Sequence, residues 1–247
     1  MRLAKRESRC FGMSKGTIIV TGGSRGIGAS ICADLAGRGF SVAALSRSGE
    51  TVAGKGYRCD VLDETSLRET IATAAKDGPV VGLVNNAGMH KATPSERLSV
   101  EELNATMAIN LTAPMVACRE AYPYLKASGG GTIVNIGSFF DKLGVAENVA
   151  YCASKAAIGA LTRCLAVEWA KDGICVLDVA PGYVATDLNR EFLTRDKVKA
   201  WLGRRVPAGR AGAADEVARM VGAIFAENIR FLTGETIYLD GGQGMNH

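Results

Sequence analysis

The sequence predicts an α/β protein, a parallel sheet wrapped by helices, and three observations carry that prediction. From Gly16 onward, short runs rich in Val and Ile alternate with longer segments of helical period, the pattern of a sheet covered on both faces. A glycine cluster, Gly22-Gly23-Ser24-Arg25-Gly26-Ile27-Gly28, falls where the first such run gives way to the first helical segment. The 247 residues hold one sizeable core more comfortably than two, so a single domain is expected.

Strands are expected at Thr17–Thr21, Ser41–Ser46, Tyr57–Cys59, Val80–Asn85, Thr132–Gly137, Ile174–Ala180 and Thr236–Leu239, which makes a seven-stranded parallel sheet. Helical period fills Ile27–Arg38, Glu64–Lys76, Val100–Lys126, Val149–Lys171 and Asp215–Phe225. The twelve residues between Arg47 and Asp60 include Gly49, Gly54 and Gly56. They are too few and too glycine-rich for a helix plus a strand, so a loop is expected there, with one sheet face thinly covered. Residues 1–14 read as a basic extension outside the fold, either a short tail or an upstream start ahead of Met13. The catalytic domain then runs over 15–247, with a small lid at about 185–210.

Composition excludes several function classes. Hydrophobic residues at 47% and charged residues at 22% fit a soluble globular chain, not a disordered one or a coiled coil. Formal net charge is +4, but Arg2, Lys5, Arg6 and Arg9 against Glu7 account for most of it. The body is close to neutral, which argues against nucleic acid or an acidic membrane as partner. The seven cysteines lack any Cys-x-x-Cys spacing and suit reduced thiols in a cytoplasmic setting. His90 and His247 are the only histidines, so no metal is expected and a Ser-His-Asp triad is hard to assemble. No apolar run approaches the ~18 residues that span a bilayer.

Five segments carry chemistry. In the glycine cluster, Gly22 suits a tight turn, Gly26 close approach of backbone to a pyrophosphate, and Gly28 close packing of helix on sheet; a plain packing turn is the alternative. Asn85-Asn86-Ala87-Gly88 ends the fourth strand, where open α/β sheets bind ligands, though Asn-Gly turns look the same. Asp60-Val61 ends the third strand, and its carboxylate can accept an adenine amino group or belong to the N-cap region of the next helix. Tyr151 and Lys155 stand four apart on one helix, so the ammonium can lie near the phenol and favour its ionised form. Ser138, just after the fifth strand, can meet the same substrate carbonyl, or cap a turn.

Taken together these segments resemble the short-chain dehydrogenase/reductase family of about 250 residues, over essentially the whole chain from Lys15 to His247. The resemblance extends to Asn110 and to Pro181-Gly182 with Thr186, in the family's order and near its spacings. It implies a Rossmann-like doubly wound fold, a nicotinamide cofactor and a tetrad of Asn110, Ser138, Tyr151 and Lys155. In that scheme Ser138 holds the carbonyl and Tyr151 moves the hydroxyl proton. Lys155 lowers the Tyr151 pKa and binds the nicotinamide ribose, and Asn110 positions a water. Pro181, Gly182, Val184 and Thr186 would hold the carboxamide. The shortened link from Arg47 to Asp60 departs from the commoner family pattern.

The second strand ends at Ser46-Arg47, where an NAD enzyme would usually place a carboxylate for the ribose hydroxyls. With Arg25 in the glycine cluster, two arginines suit a phosphate, so NADP(H) is expected. The expected function is interconversion of a ketone and a secondary alcohol by hydride transfer, as in 3-oxoacyl-carrier-protein reductases or small-ketone carbonyl reductases. An NAD-dependent sugar, polyol or sugar-acid dehydrogenase is the rival, and a non-catalytic dinucleotide sensor a third reading, disfavoured because a sensor has no need of all four tetrad residues. A homotetramer is implied, with the two long helices pairing across one interface and the strand near Leu239 across another.

Overall fold

The computed structural model describes residues 15–186, 193 and 195–245. The expected N-terminal extension, part of the expected lid including Phe192, and His247 lie outside the described residues. Strands β1 (Thr17–Thr21), β2 (Ser41–Ser46), β3 (Lys55–Arg58), β4 (Val80–Asn85), β5 (Gly131–Ile136), β6 (Ile174–Pro181) and β9 (Thr236–Leu239) form one sheet. Its order is β3-β2-β1-β4-β5-β6-β9, and every pairing is parallel. The strand order reverses between β1 and β4, which opens a crevice at their C-terminal ends. A separate parallel pair joins β7 (Val184–Ala185) to β8 (Gly212–Ala213).

Helices α2 (Glu64–Ala74), α4 (Ala113–Ala127) and α5 (Val149–Trp169) cover one face. Helices α1 (Gly26–Gly37) and α7 (Ala214–Glu227) cover the other, with Ile31, Leu35, Val217, Val221 and Phe225 turned onto the sheet. No helix intervenes between β2 and β3, as the glycine-rich link requires. The third strand begins two residues earlier than expected, because Lys55 and Gly56 pair with Ala43 and Ala44. Asp63 starts α2 by accepting the amides of Thr65 and Ser66 at 2.9 and 3.1 Å, the capping geometry that satisfies first-turn donors.

Two elements differ from expectation. The long helix over Val100–Lys126 is three pieces: α3 (Val100–Met107), a π-helical turn Ala108–Thr112, and α4. The wide turn breaks the regular ladder at Asn110, a position where such turns often serve function. Within the expected lid, Asp196–Arg205 forms helix α6, which buries Leu202.

Register lines up one row of polar residues across the sheet. Thr21 pairs with Asn85, Asn85 with Asn135, Asn135 with Asp178 and Asp178 with Thr236. Because strand side chains alternate, this row shares the α4/α5 face with Ile19, Leu83, Ile133 and Val176 below it. Asn85 Nδ2 donates to Asn135 Oδ1 at 2.8 Å, and Asn135 Nδ2 donates to Thr162 Oγ1 of α5 at 2.9 Å. The row lies at the strand ends that carry the site.

Candidate active site

The glycine cluster makes its turn with positive φ at Gly22 (68°) and Gly26 (56°), backbone that glycine adopts without strain. A Cβ on Gly28 would lie 2.2 Å from the Gly22 carbonyl oxygen and 2.4 Å from Asn86 Nδ2, so helix and turn touch as closely as backbone permits. A Cβ on Gly26 meets nothing nearer than Thr186 Cγ2 at 3.7 Å. The amino end of α1 therefore faces open space, with Thr186 across it. That cradle fits the pyrophosphate of a dinucleotide, which takes free N–H groups and a positive helix end.

The segment after β4 is pinned to this turn. Asn86 donates from Nδ2 to the Thr21 and Gly22 carbonyls, both at 3.1 Å, and the amides of Asn86 and Ala87 donate to Thr21 Oγ1. The Asn86 carboxamide is spent on fixing the turn; the surface left to a ligand is Ala87 and Gly88 backbone. Val61 and Ala87 share a small cleft with Thr21, Asn85, Ala113 and Pro114. Asp60 is exposed and accepts the Leu62 amide at 3.0 Å, while capping of α2 falls to Asp63. At the end of β2, the buried Ser46 hydroxyl accepts the Gly49 amide at 3.0 Å and donates to Glu50 O at 3.3 Å. Ser46 thus shapes its own turn and leaves Arg47 exposed; Arg25 and Ser24 bound the glycine turn, Arg25 exposed and Ile27 packed on the core.

On the other side of the crevice stand the four expected tetrad residues. Ser138 starts a short turn after β5, and its hydroxyl interacts with the Tyr151 phenol while also accepting the Phe140 amide at 3.3 Å. Burial pushes the Tyr151 phenol above its ordinary value, and the Ser138 hydroxyl opposes that shift. Lys155 is 8% exposed and donates from Nζ to the Ile136 carbonyl at 2.7 Å. Burial depresses its ammonium to about 8, opposed by the charge of Asp178. The helical spacing brings Nζ within 5.6 Å of the Tyr151 ring centroid, but its hydrogen bond goes to the main chain and not to the phenol.

Asn110, on the π turn, is fully enclosed. Its Oδ1 accepts the Met89 amide at 2.9 Å, and its Nδ2 donates to Met89 O and to Ser154 Oγ at 2.9 and 3.0 Å. Ser154 in turn donates to Tyr151 O at 2.8 Å. Asn110 therefore ties the strand-four loop to the helix of Tyr151 and Lys155. Gly182 closes the crevice beyond β6, donating its amide to Leu239 O, and a Cβ there would crowd Asp240 Cα at 2.8 Å. Pro181 ends β6, and Val184 is held in the β7–β8 pair, which carries the chain to Thr186.

His90, on the irregular segment after β4, joins the site although no motif in the sequence marks it. The structure stands its ring edge-on to Tyr151, with centroids 4.7 Å apart, and joins Nε2 to Asn148 Oδ1 at 2.5 Å. Aromatic contacts continue from Tyr151 to Phe140 (5.8 Å), Phe140 to Tyr183 (6.2 Å) and Tyr183 to Trp201 of α6 (5.2 Å). Tyr183 carried no sequence motif, since its place depends on the return of α6 over the pocket.

Among the described residues no helix is long and apolar enough to cross a membrane, and no group of three or more metal-ligating side chains occurs. The profile of the short chain dehydrogenase family matches residues 16–197. The chain is 32% identical over 244 residues to D-threitol dehydrogenase of Mycolicibacterium smegmatis, covering 91% of each chain. It is 33% identical over 233 residues to the 3-oxoacyl-[acyl-carrier-protein] reductase MabA of Mycobacterium bovis, covering 94% of each. A solved structure of gluconate 5-dehydrogenase from Burkholderia cenocepacia, in complex with NADP and tartrate, superposes with a TM-score of 0.86 at 28% identity, over 95% of this chain and 97% of that one. The doubly wound sheet, the open glycine cradle and these matches have one reading: the chain belongs to the short chain dehydrogenase family, whose members bind a nicotinamide dinucleotide, and is an oxidoreductase acting on CH–OH groups.

Proposed function

We propose that the chain is an NADP(H)-dependent oxidoreductase that interconverts a ketone and a secondary alcohol, with Tyr151 moving the hydroxyl proton. The observation that carries this reading is the gathering of the Ser138 and Tyr151 hydroxyls and the buried Lys155, with the rings of His90 and Phe140 edge-on to Tyr151. The nicotinamide, when bound, exchanges the hydride with the substrate carbon. Ser138 donates to the carbonyl oxygen, and Tyr151 gives its proton to the oxygen as negative charge develops there. A phenol held high by burial resists the ionisation that makes it a base, so alcohol oxidation needs the Lys155 ammonium to leave the Ile136 carbonyl and face the phenol and the ribose. Asn110 uses both amide hydrogens structurally, so a water held at this position would rest on main-chain groups of the π turn.

Cofactor contacts fall to Gly22, Ser24, Arg25, Gly26, Ile27 and Gly28 for the pyrophosphate, to Asp60, Val61 and Ala87 for adenine, and to Pro181–Thr186 for the carboxamide. Exposed Arg25 and Arg47 favour the 2′-phosphate of NADP(H). The linked rings of Phe140, Tyr183 and Trp201 beside Tyr151 favour substrates of the small-ketone or free 3-oxoacyl type. Gly130-Gly131 carry no charge and Lys171 is followed by Asp172, so these positions offer little net positive charge to an acidic carrier protein. A polyol or sugar acid is the second reading, favoured by the polar His90–Asn148 pair beside Tyr151 and by the threitol and gluconate dehydrogenases among the relatives.

A homotetramer is proposed as the assembly, with the interface positions revised. Leu165 and Trp169 pack on the chain's own core, and exposed apolar side chains near these surfaces include Val100 of α3, Met115 of α4, Val149 and Val167 of α5, and Ile229 and Phe231 before β9. Light scattering at micromolar concentration showing a monomer overturns this assembly.

The test of function is a hydride-transfer panel of small ketones, 3-oxoacyl mimics, polyols and sugar acids with each cofactor. NADPH-dependent ketone reduction without carrier protein is expected, with preference lost in Arg47→Ala. Tyr151→Phe should bind cofactor and lose about two orders of magnitude in turnover. Equal efficiency with NAD(H), or normal turnover in the Phe variant, overturns the corresponding part.

A further inference from the structure

Asp178 is wholly buried on β6, in the polar row beneath α5, and nothing in the reaction proposed above uses it. Its Oδ2 accepts the Thr236 hydroxyl at 3.2 Å, while Oδ1 has no hydrogen-bond partner. The Gly137 amide donates to Val179 O at 2.8 Å and also lies close enough to favour the charged Asp178 carboxylate. A Cβ on Gly137 would lie 2.3 Å from Oδ1, so the carboxylate is pressed against bare backbone where any larger residue would collide. The residue before Gly137 is Ile136, whose carbonyl accepts Lys155 Nζ. A buried carboxylate and a buried ammonium thus crowd two successive residues at the end of β5. A buried, half-partnered carboxylate costs stability, and a nearby opposite charge offsets that cost.

We propose that Asp178 is a positioning residue for the reaction: its carboxylate acts through space on Lys155, keeps the ammonium charged, and so sets the pH range in which Tyr151 exchanges its proton. The inference rests on the function proposed above. Both groups respond to each other: burial lifts Asp178 to about 6 and Lys155 draws it back down, while Asp178 raises Lys155 against its own burial. The other ionisable groups around Asp178 are Asp141, on the turn after β5, and Tyr238 of β9, whose phenol donates to Asp141 Oδ2 at 2.7 Å. Lys142 lies over the Tyr238 ring, and Arg163 of α5 acts on the same phenol. Lys155 is the cation that acts on Asp178 directly.

The experiment removes the charge at constant shape with Asp178→Asn, and with relief of crowding in Asp178→Ser. Two readouts are taken on the full chain: the Lys155 titration, followed by NMR of lysines carbon-13 labelled at Cε, and the pH profile of alcohol oxidation. Both variants should lower the Lys155 midpoint by about one pH unit or more and move the rising limb of oxidation to higher pH by a similar amount. A purely structural role would reduce stability and leave both midpoints where they were, which overturns the proposal. The Lys155 titration needs no substrate, so it decides this inference even if the proposed reaction fails. Loss of the function reading shows separately, as normal turnover in Tyr151→Phe.

Discussion

Under α1 and α7 the sheet presents Ile18, Val20, Val84, Val134 and Val179 as an unbroken apolar surface. Under α4 and α5 the same strands begin with Ile19, Leu83, Ile133 and Val176, then one pleat further carry Thr21, Asn85, Asn135 and Asp178, with Thr236 beside them. The first face needs only volume and low polarity, so many apolar combinations satisfy it. The second must partner each buried polar group or leave it costing free energy, and so fixes the helix above it to one position. Ser138, Tyr151 and Lys155 lie over the second face. Both faces bury an apolar core, and the second adds a polar row that fixes placement.

Predictions can break or sharpen that contrast. Ile18→Ala, on the apolar face, should cost about 2–5 kcal/mol in urea unfolding and leave the pH profile unchanged. A displaced pH profile in that variant would dissolve the distinction between the faces. Next is pH dependence of stability. Folded Lys155 titrates near 8, below its ordinary 10.5, so between those values the folded protein has released a proton that the unfolded chain still holds. Stability from this group therefore rises as pH climbs from about 8 to 10.5, by on the order of 3 kcal/mol. Lys155→Met should lack that rise in denaturant titrations across the same range.

Asn135→Ala strands the hydroxyl of Thr162 and leaves Asn85 Nδ2 only Cys118 Sγ and Pro114 O, and should cost about 1–3 kcal/mol with a fall in turnover as α5 loses its anchor. A loss of stability at full turnover would separate anchoring from catalysis. Thr236→Val removes one hydrogen bond to Asp178 and should cost about 1 kcal/mol by thermal unfolding.

Much of this was legible in the chain. Buried parallel strands leave continuous Val and Ile runs, and β1, β2, β4 and β9 fall at the residues those runs mark. The glycine cradle was readable because only glycine tolerates its backbone at Gly22 and Gly26. The π turn was not: apolar period continues through Val100–Lys126, and one extra residue per turn leaves no mark on composition. The tilt of His90 onto Tyr151 depends on two loops meeting, Thr93 donating its amide to Glu147 O at 2.7 Å, a contact that neither loop's sequence declares. Asp178 is a lone polar residue in an apolar strand. Its meaning comes from register with Asn135 and Thr236, which a single strand does not reveal.

The helix-free link between β2 and β3 leaves the two borders of the sheet unequal. β3 is four residues long, with Lys55 and Arg58 exposed, and Gly54 just before it bends against the Val42 carbonyl. A strand offered by another molecule meets charge and a turned backbone there. At the opposite border β9 carries no charged side chain and is only partly covered along its length. Runaway ribbon growth needs two receptive borders on every molecule. With one blunted, strand addition can finish as a closed pair but has nowhere to continue, which protects a chain with so apolar a sheet from polymerising.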